Sequence, residues 1–326
     1  MRIFRGFHHQ GLYPAVAVTI GNFDGVHRGH QAMIALLKNE ARHRNLPACV
    51  LTFEPHPREF FAQIKGTPQD APPRVALLRD KLEELHNCGV DQVVVMRFDQ
   101  QLSSQTPQQF VDEVLLKGLG TRYLLVGDDF RFGAKRAGDY AFLDTAGKAQ
   151  GFDVARMNAY EVSGLRVSSS AVRDALARSD FAQVRELLGR PYTISGHVTH
   201  GKKLGRELGF PTLNLRFAHA RAAISGIFVV QVHGLVSAPL PAVASFGVRP
   251  AIEDDNRVLL EVHLLDWQGN AYGKIVRVEF LHKLRDEVRY DSLDALAAAI
   301  AHDGAQARAW FADFNHTRRQ TTRDRI

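Results

Sequence analysis

The sequence predicts two units in tandem: an α/β unit built on a parallel sheet, then an antiparallel β unit, a small barrel with a helical tail. Three observations carry that expectation. Between about residues 15 and 160, continuous apolar runs alternate with stretches of helical periodicity, which is the pattern of a parallel sheet covered on both faces. From about residue 190 the texture changes to apolar–polar alternation with Gly-containing turns, as in antiparallel strands. The chain has 326 residues, the length of roughly two domains at about 100–200 residues each.

Residues 15–20 (AVAVTI) read as a buried strand, and a helix follows from about residue 30 with Met33, Leu36 and Leu37 on one face. Residues 48–53 (ACVLTF) are a second strand, and Leu77, Leu78, Leu82 and Leu85 mark a second helix. Residues 92–96 (QVVVM), a helix carrying Phe110, Val114 and Leu115, and residues 123–126 (YLLV) complete the alternation. In doubly wound sheets ligands bind beyond the carboxyl ends of the strands. The loops after Ile20, Phe53 and Val126 are therefore where a site is expected. Ser169 and Asp180 read as N-caps of helices over 170–178 and 181–188. Leu188-Gly189-Arg190-Pro191 then breaks the periodicity, and a boundary near residue 187 gives units 1–186 and 187–326. Residues 192–198, 226–233, 258–266 and 275–282 alternate, with turns such as Gln268-Gly269-Asn270 between them, the texture of a small antiparallel barrel. A helical tail runs from about 292 to 314.

Apolar residues make up 45% and charged ones 23% of the chain, the balance of an ordinary globular protein. Lys plus Arg number 41 against 35 Asp plus Glu, a net charge of +6. That charge suits an anionic ligand, phosphate or nucleic acid, without choosing between them. With only Cys49 and Cys88, a disulfide framework, a Cys-rich zinc site and a CxxC redox centre are excluded. No signal-like segment opens the chain and no apolar run reaches membrane-spanning length. The expectation is a cytoplasmic protein without a membrane partner.

The loop after the first strand is Gly21-Asn22-Phe23-Asp24-Gly25-Val26-His27-Arg28-Gly29-His30. Its three glycines let backbone approach a ligand closely, and the next helix offers unpaired N–H groups and its positive dipole end. His27 and His30, three apart, can both point into a phosphate-sized site and donate to phosphoryl oxygens. The same spacing also reads as a helix cap, or as two zinc ligands with His56 as a third in space.

This loop resembles the HxGH signature of the nucleotidyltransferase superfamily. In its longer form, GxFDGVHxGH, it is similar to the bacterial bifunctional riboflavin kinase/FAD synthetase family. Further matches follow in order: residues 52–57 (TFEPHP), 127–133 (GDDFRFG) and 167–173 (VSSSAVR). The last is similar to the family's ISSTxxR, with Ser170 keeping the hydroxyl of the Thr and losing a methyl. The resemblance implies a Rossmann-like nucleotidyltransferase sheet that adenylylates FMN, whose phosphate attacks the α-phosphorus of ATP as pyrophosphate leaves. It assigns Gly21, Phe23, Asp24 and Gly29 to the nucleotide loop, with His27 and His30 on the ATP phosphates. Ser169, Ser170 and Arg173 would clamp the β- and γ-phosphates, and His56, Pro57, Asp129 and Phe130 would line the flavin pocket. Mg²⁺ would accompany the nucleotide, and no covalent enzyme intermediate is needed.

In the second half, residues 196–203 (GHVTHGKK) fit GxxxxGK, but Lys203 stands where a P-loop needs Ser or Thr, and the strand-to-helix context is missing. The longer stretch 201–214 (GKKLGRELGFPTLN) resembles the flavokinase signature GxxxGRxLGFPTxN. The resemblance places Gly205 and Arg206 in an ATP loop and gives Thr212 and Asn214 the task of holding Mg·ATP, through oxygen ligands that Mg²⁺ prefers. Residues 259–266 (LLEVHLLD) put Leu260, Val262 and Leu264 on one strand face, and Glu261 and His263 on the other with Leu259 and Leu265. A carboxylate there is costly unless paired, functional or facing solvent. The stretch is similar to the family's LEVHLxDF, which makes Glu261 the general base that takes the riboflavin 5′-hydroxyl proton. Residues 245–251 (SFGVRPA) and 271–273 (AYG) depart from the family's NxGxRPT and LYG.

The expected function is therefore riboflavin plus ATP to FMN, then FMN plus ATP to FAD, with small-molecule substrates and no obligate protein partner. One alternative is an adenylyltransferase for another phosphomonoester, its barrel binding flavin only for regulation. The other is a basic nucleic-acid-binding module, against which Lys and Arg are spread along the chain without a recognisable motif.

Overall fold

The computed structural model describes residues 1–201, 208–217, 221–248 and 258–323. They form two compact units, Met1–Pro72 with Leu78–Ala171, and Pro73–Leu77 with Val172–Ile326.

The first unit is a six-stranded sheet, β1 (Arg2–Arg5), β2 (Val16–Ile20), β3 (Ala48–Glu54), β4 (Gln92–Arg97), β5 (Thr121–Gly127) and β6 (Asp153–Met157), in the order β1-β4-β3-β2-β5-β6. Every pairing is parallel. All five residues of β2 are buried; Val16, Val18 and Ile20 pack on one face, while Ala17 packs against the opposite cluster. The chain leaves β2 toward β3 on one side and reaches β5 on the other, so the switch point of the sheet lies at β2. The loop that follows β2 is the one expected to bind ligand.

Helix α1 (Arg28–His43) buries Ile34, Leu37 and Ala41. Leu36, expected on that face, is 48% exposed, because it stands two residues and about 200° from Ile34. Helix α2 (Pro57–Ile64) starts at the end of β3 and α3 (Leu78–Asn87) precedes β4. The short α4 (Gln100–Ser103) and α5 (Pro107–Gln109) lead into a more widely wound turn over Phe110–Gly118, and α6 (Tyr140–Gln150) precedes β6. Strands β1 and β6 escaped the sequence reading because both are sheet edges with few buried residues. A two-stranded hairpin, β7 (Glu161–Val162) and β8 (Leu165–Arg166), leads into α7 (Ser169–Ala177).

The expected N-cap at Ser169 is corrected by one residue. The Ser168 hydroxyl accepts from the Ala171 N–H at 3.1 Å, and Ser169 is already helical. Asp180 caps α8 (Phe181–Leu188) as expected.

The second unit is the antiparallel β unit, in the order β10-β13-β12-β11-β14-β9. Its strands are β9 (Thr193–His197), β10 (Thr212–Arg216), β11 (Gly226–His233), β12 (Leu240–Val248), β13 (Val258–Leu264) and β14 (Ile275–Arg285). A bridge between Thr199 and Asn214 brings the chain beyond β9 onto β10 and nearly closes the barrel. The sequence reading missed β10 and β12; in β12, Pro241, Gly247 and three small residues hide the period-two pattern. The final helix, α9 (Leu293–Arg323), is longer than expected. It lays Ala307 and Phe311 on Ile227, Val229, Val243 and Leu265, and Arg285 donates two hydrogen bonds to the buried Asp303 carboxylate, at 2.8 and 2.6 Å.

Candidate functional sites

The loop after β2 is bent into conformations that side chains other than glycine rarely adopt. Phe23 (φ 47°), Gly25 (φ 84°) and Val26 (φ 40°) all lie in the left-handed region, and for a β-branched Val this is strained by about 1–3 kcal/mol. The strain persists because Phe23 and Val26 are buried in one cluster with Ile34, Val50 and Leu85. Side chains from three elements hold the loop's carbonyls. Thr52 Oγ1 donates to Asn22 O at 3.2 Å, Gln31 Nε2 to Val26 O at 2.8 Å, and Ser169 Oγ to Asp24 O at 2.9 Å.

His27 is the N-cap of α1: its Nδ1 accepts the His30 N–H at 3.3 Å, which puts the proton of a neutral ring on Nε2. The two imidazoles stack, centroids 3.6 Å apart, and Phe23 stands 4.9 Å from His30. Gly29 permits the stack, since a Cβ there would meet His27 Nδ1 at 3.2 Å. His30 Nδ1 is buried without a hydrogen-bond partner. Burial, then the charges of His27 and Lys81, hold the His30 pKa well below its usual range. The result is a neutral imidazole with an unsatisfied nitrogen at a helix N-terminus, a place built for an anion.

At the end of β3, His56 caps α2 through a capping box: its Nδ1 accepts from Arg58 N, and its own N–H donates to the Glu59 carboxylate. Phe53, Phe60 and Phe61 set their rings edge-on around Phe98. Beyond β5, Asp128 and Asp129 face the Arg166 guanidinium at 3.6 and 3.5 Å, and Phe130 stacks on Phe132.

The barrel site is a register. On β10, β13, β12 and β11 one rung reads Asn214, Glu261, Ser245, Ile227, and the next on the same face reads Thr212, His263, Val243, Val229. Val229 and Val243 pack under α9, so the polar residues continue the face beyond them. The Asn214 amide donates to Thr212 O and Oγ1 at 3.3 and 3.4 Å. A Cβ on Gly201 would meet that amide at 2.5 Å, so glycine there lets the backbone close over Asn214. His263 Nδ1 lies 3.0 Å from Pro211 O.

A family model described as FAD synthetase matches residues 11–171, and one described as riboflavin kinase matches residues 188–311. A bifunctional riboflavin kinase/FMN adenylyltransferase from Escherichia coli K12 is 46% identical over 95% of this chain and 98% of its own length. One from Pseudomonas fluorescens is 46% identical over 97% of this chain and all of its own. The chain belongs to the bifunctional riboflavin kinase/FMN adenylyltransferase family. A solved structure described as a macrolide-efflux protein from Streptococcus pneumoniae is also similar, with a TM-score of 0.73 and 27% identity over 94% of this chain and 98% of that one. That description applies to that protein; among the described residues here no helix is long and apolar enough to cross a membrane.

Of the residues assigned through the resemblance to the riboflavin kinase/FMN adenylyltransferase family, the structure brings together Gly21, Phe23, Asp24 and His27 in the loop after β2 with Gly29 and His30 at the start of α1, sets Ser169 of α7 on the Asp24 carbonyl, and puts Thr212, Asn214 and Glu261 in two adjacent rungs. Ser170 follows on α7, and Arg173 Nε donates to Pro73 O at 2.7 Å. Gly205 and Arg206 lie outside the described residues, as do positions 249–251 of the departing SFGVRPA stretch. The zinc reading of the His pair finds no support: among the described residues no three His, Cys, Asp or Glu side chains gather to hold a metal. Sequence reasoning missed Lys81, which is only 3% exposed. Its signal was present, since Leu78, Lys81, Leu82 and Leu85 form one helical stripe with a cation inside it. Arg166 and the Ser245–Glu287 pair were missed as well, because only the folded chain brings their partners near.

Proposed function

We propose that this chain converts riboflavin and ATP to FMN on its barrel unit, and FMN and ATP to FAD and pyrophosphate on its parallel-sheet unit, the activities dividing near residues 186/187. The observation that carries the reading is that His27 and His30 share one helix start in the first unit, while Thr212, Asn214 and Glu261 share two rungs in the second. That helix start lies at the switch point of the sheet, and those rungs are neighbours in the barrel.

In the first unit the helix N-terminus and the His27 and His30 rings receive the ATP phosphates. The neutral His30 nitrogen gains the partner it lacks, and charge developing on the departing pyrophosphate meets fixed donors. Ser169 anchors the loop through Asp24 O, and Ser170 follows it on α7. His56 and Pro57 set the start of α2, and with Asp129 and Phe130 they border the flavin pocket.

In the second unit Glu261 accepts the proton of the 5′-hydroxyl as that oxygen bonds to the γ-phosphorus and ADP leaves. The Thr212 hydroxyl and the Asn214 amide oxygen are hard donors on adjacent rungs, and they suit Mg²⁺, which keeps few protein ligands and takes the rest from phosphate. Bound with ATP, that ion neutralises charge on the phosphoryl oxygens. Incubating the purified protein with riboflavin, ATP and Mg²⁺ and separating the flavins by chromatography tests the proposal. FMN followed by FAD is expected; the appearance of neither overturns it.

A further inference from the structure

We propose that Ser245 and Glu287 form a second hydroxyl-recognising group beside Glu261, so that the barrel site selects an alcohol whose neighbouring carbon also carries a hydroxyl. The inference rests on the kinase reading above and names the feature of the substrate that the site measures.

Ser245 stands opposite Glu261 in the β12–β13 register, and directly paired side chains on one face have their Cβ atoms about 4.5–5.5 Å apart. The Ser245 hydroxyl donates its one proton to Glu287 Oε1 at 2.8 Å. Its oxygen therefore faces any further partner as an acceptor only. An ionised Glu261 is likewise an acceptor only. Two acceptors side by side are satisfied by two O–H donors on adjacent carbons: one is the attacking hydroxyl, whose proton goes to Glu261, and the other donates to Ser245. A primary alcohol with no second hydroxyl leaves Ser245 unsatisfied.

The fold makes room for Glu287 in particular. A Cβ on Gly247, two residues along the same face from Ser245, would collide with Glu287 Oε2. Glycine inside a strand weakens it, and often marks a place where another group approaches closely. The chain also departs here from the family's NxGxRPT pattern. An Asn offers donor and acceptor on one side chain, whereas Ser245 with its proton fixed by Glu287 offers an acceptor alone. The Glu287 residue is exposed and Ser245 half-buried, so a small polyol chain can reach the pair.

The test is steady-state kinetics of FMN formation with riboflavin and with 4′-deoxyriboflavin, which lacks the hydroxyl next to the phosphorylated one. Ser245→Ala should raise KM for riboflavin about tenfold, as for one lost hydrogen bond, with kcat within about twofold. Glu287→Ala, which frees the Ser245 proton, should raise it about three- to tenfold, and Gly247→Ala should do the same by displacing Glu287. Glu287→Gln retains an acceptor oxygen and should restore KM to within about twofold of the parent. None of these variants should alter KM for the deoxy analogue, and FMN adenylylation by the same preparations should be unchanged. An unaltered riboflavin KM in Ser245→Ala, or an equal loss with the deoxy analogue, overturns the inference. Failure of the parent protein to form any FMN sinks the kinase reading instead.

Discussion

The imidazoles of His27 and His30 lie 3.6 Å apart at 15° to one another, the first capping the helix that carries the second. Two protonated rings could not stack so closely in a buried place without repulsion. The lowered His30 pKa therefore keeps that ring neutral beside His27. At neutral pH the His30 ring brings no fixed positive charge of its own, leaving that to its neighbours and the helix dipole.

A pH dependence of stability follows. The folded-state pKa of His30 lies below its unfolded value of about 6.5, so the unfolded chain binds the extra proton. The contribution is fully present above about pH 6.5 and is lost as pH falls below it toward the folded pKa. Urea midpoints at pH 7.5 and 5.5 should therefore differ more in the parent than in His30→Asn, which does not titrate. Equal differences would show that the ring is free to protonate in the native state.

The two activities should separate by mutation. His30→Ala removes a donor from the proposed phosphate site of the first unit, and FAD formation from supplied FMN should fall by about 10²-fold or more. Riboflavin phosphorylation should persist. Glu261→Gln leaves shape and register intact but removes the proposed general base, so FMN formation should fall by about 10²–10⁴-fold while supplied FMN is still adenylylated. Loss of both activities together in either folded variant contradicts the division of labour.

What was legible in advance follows a physical rule. Strands β2 to β5 were readable because their runs are apolar on both faces, and β13 because Glu261 and His263 alternate with Leu260, Val262 and Leu264. Edge strands β1 and β6 were not, since half their surroundings are water. The loop after β2 was legible as a string whose glycines and histidines have chemical meaning at that spacing. The left-handed Phe23 and Val26 were not, because burial in the folded core imposes their conformation against local preference. Ser169 shows the same limit: it was expected to cap α7, but the cap is Ser168 and the Ser169 hydroxyl serves Asp24 O, 145 residues away in sequence. Long-range partners of this kind, Glu287 on Ser245 among them, leave no local pattern.

The thiols report on the first unit's core. Cys49 is wholly buried in β3, and burial pushes its pKa up to about 12, against a lowering contribution from its hydrogen bond with Gln92. Thiolate is the reactive form, so Cys49 should resist a chromogenic disulfide reagent at pH 8, while the half-buried Cys88 reacts slowly. One thiol titrating in the native protein and two in guanidinium is the expected count. Rapid reaction of both without denaturant would mean that β3 is not the buried inner strand described.

Gly201 offers the sharpest single-atom test of the barrel site. A methyl there would lie at 2.5 to 2.6 Å from three atoms of the Asn214 amide, inside any tolerable contact. Asn214 is itself held by its donation to Thr212 and by burial at 6% exposure. It cannot swing aside without breaking the geometry proposed to hold the metal. Gly201→Ala should therefore raise KM for ATP in riboflavin phosphorylation by about tenfold or more, an amount typical of a misplaced metal ligand. Added Mg²⁺ should rescue part of the loss, since weakened metal affinity yields to mass action. Adenylylation of supplied FMN should not change, because Asn214 has no part in it. A variant with unaltered ATP and Mg²⁺ dependence in the kinase reaction would remove Asn214 from the metal's ligands.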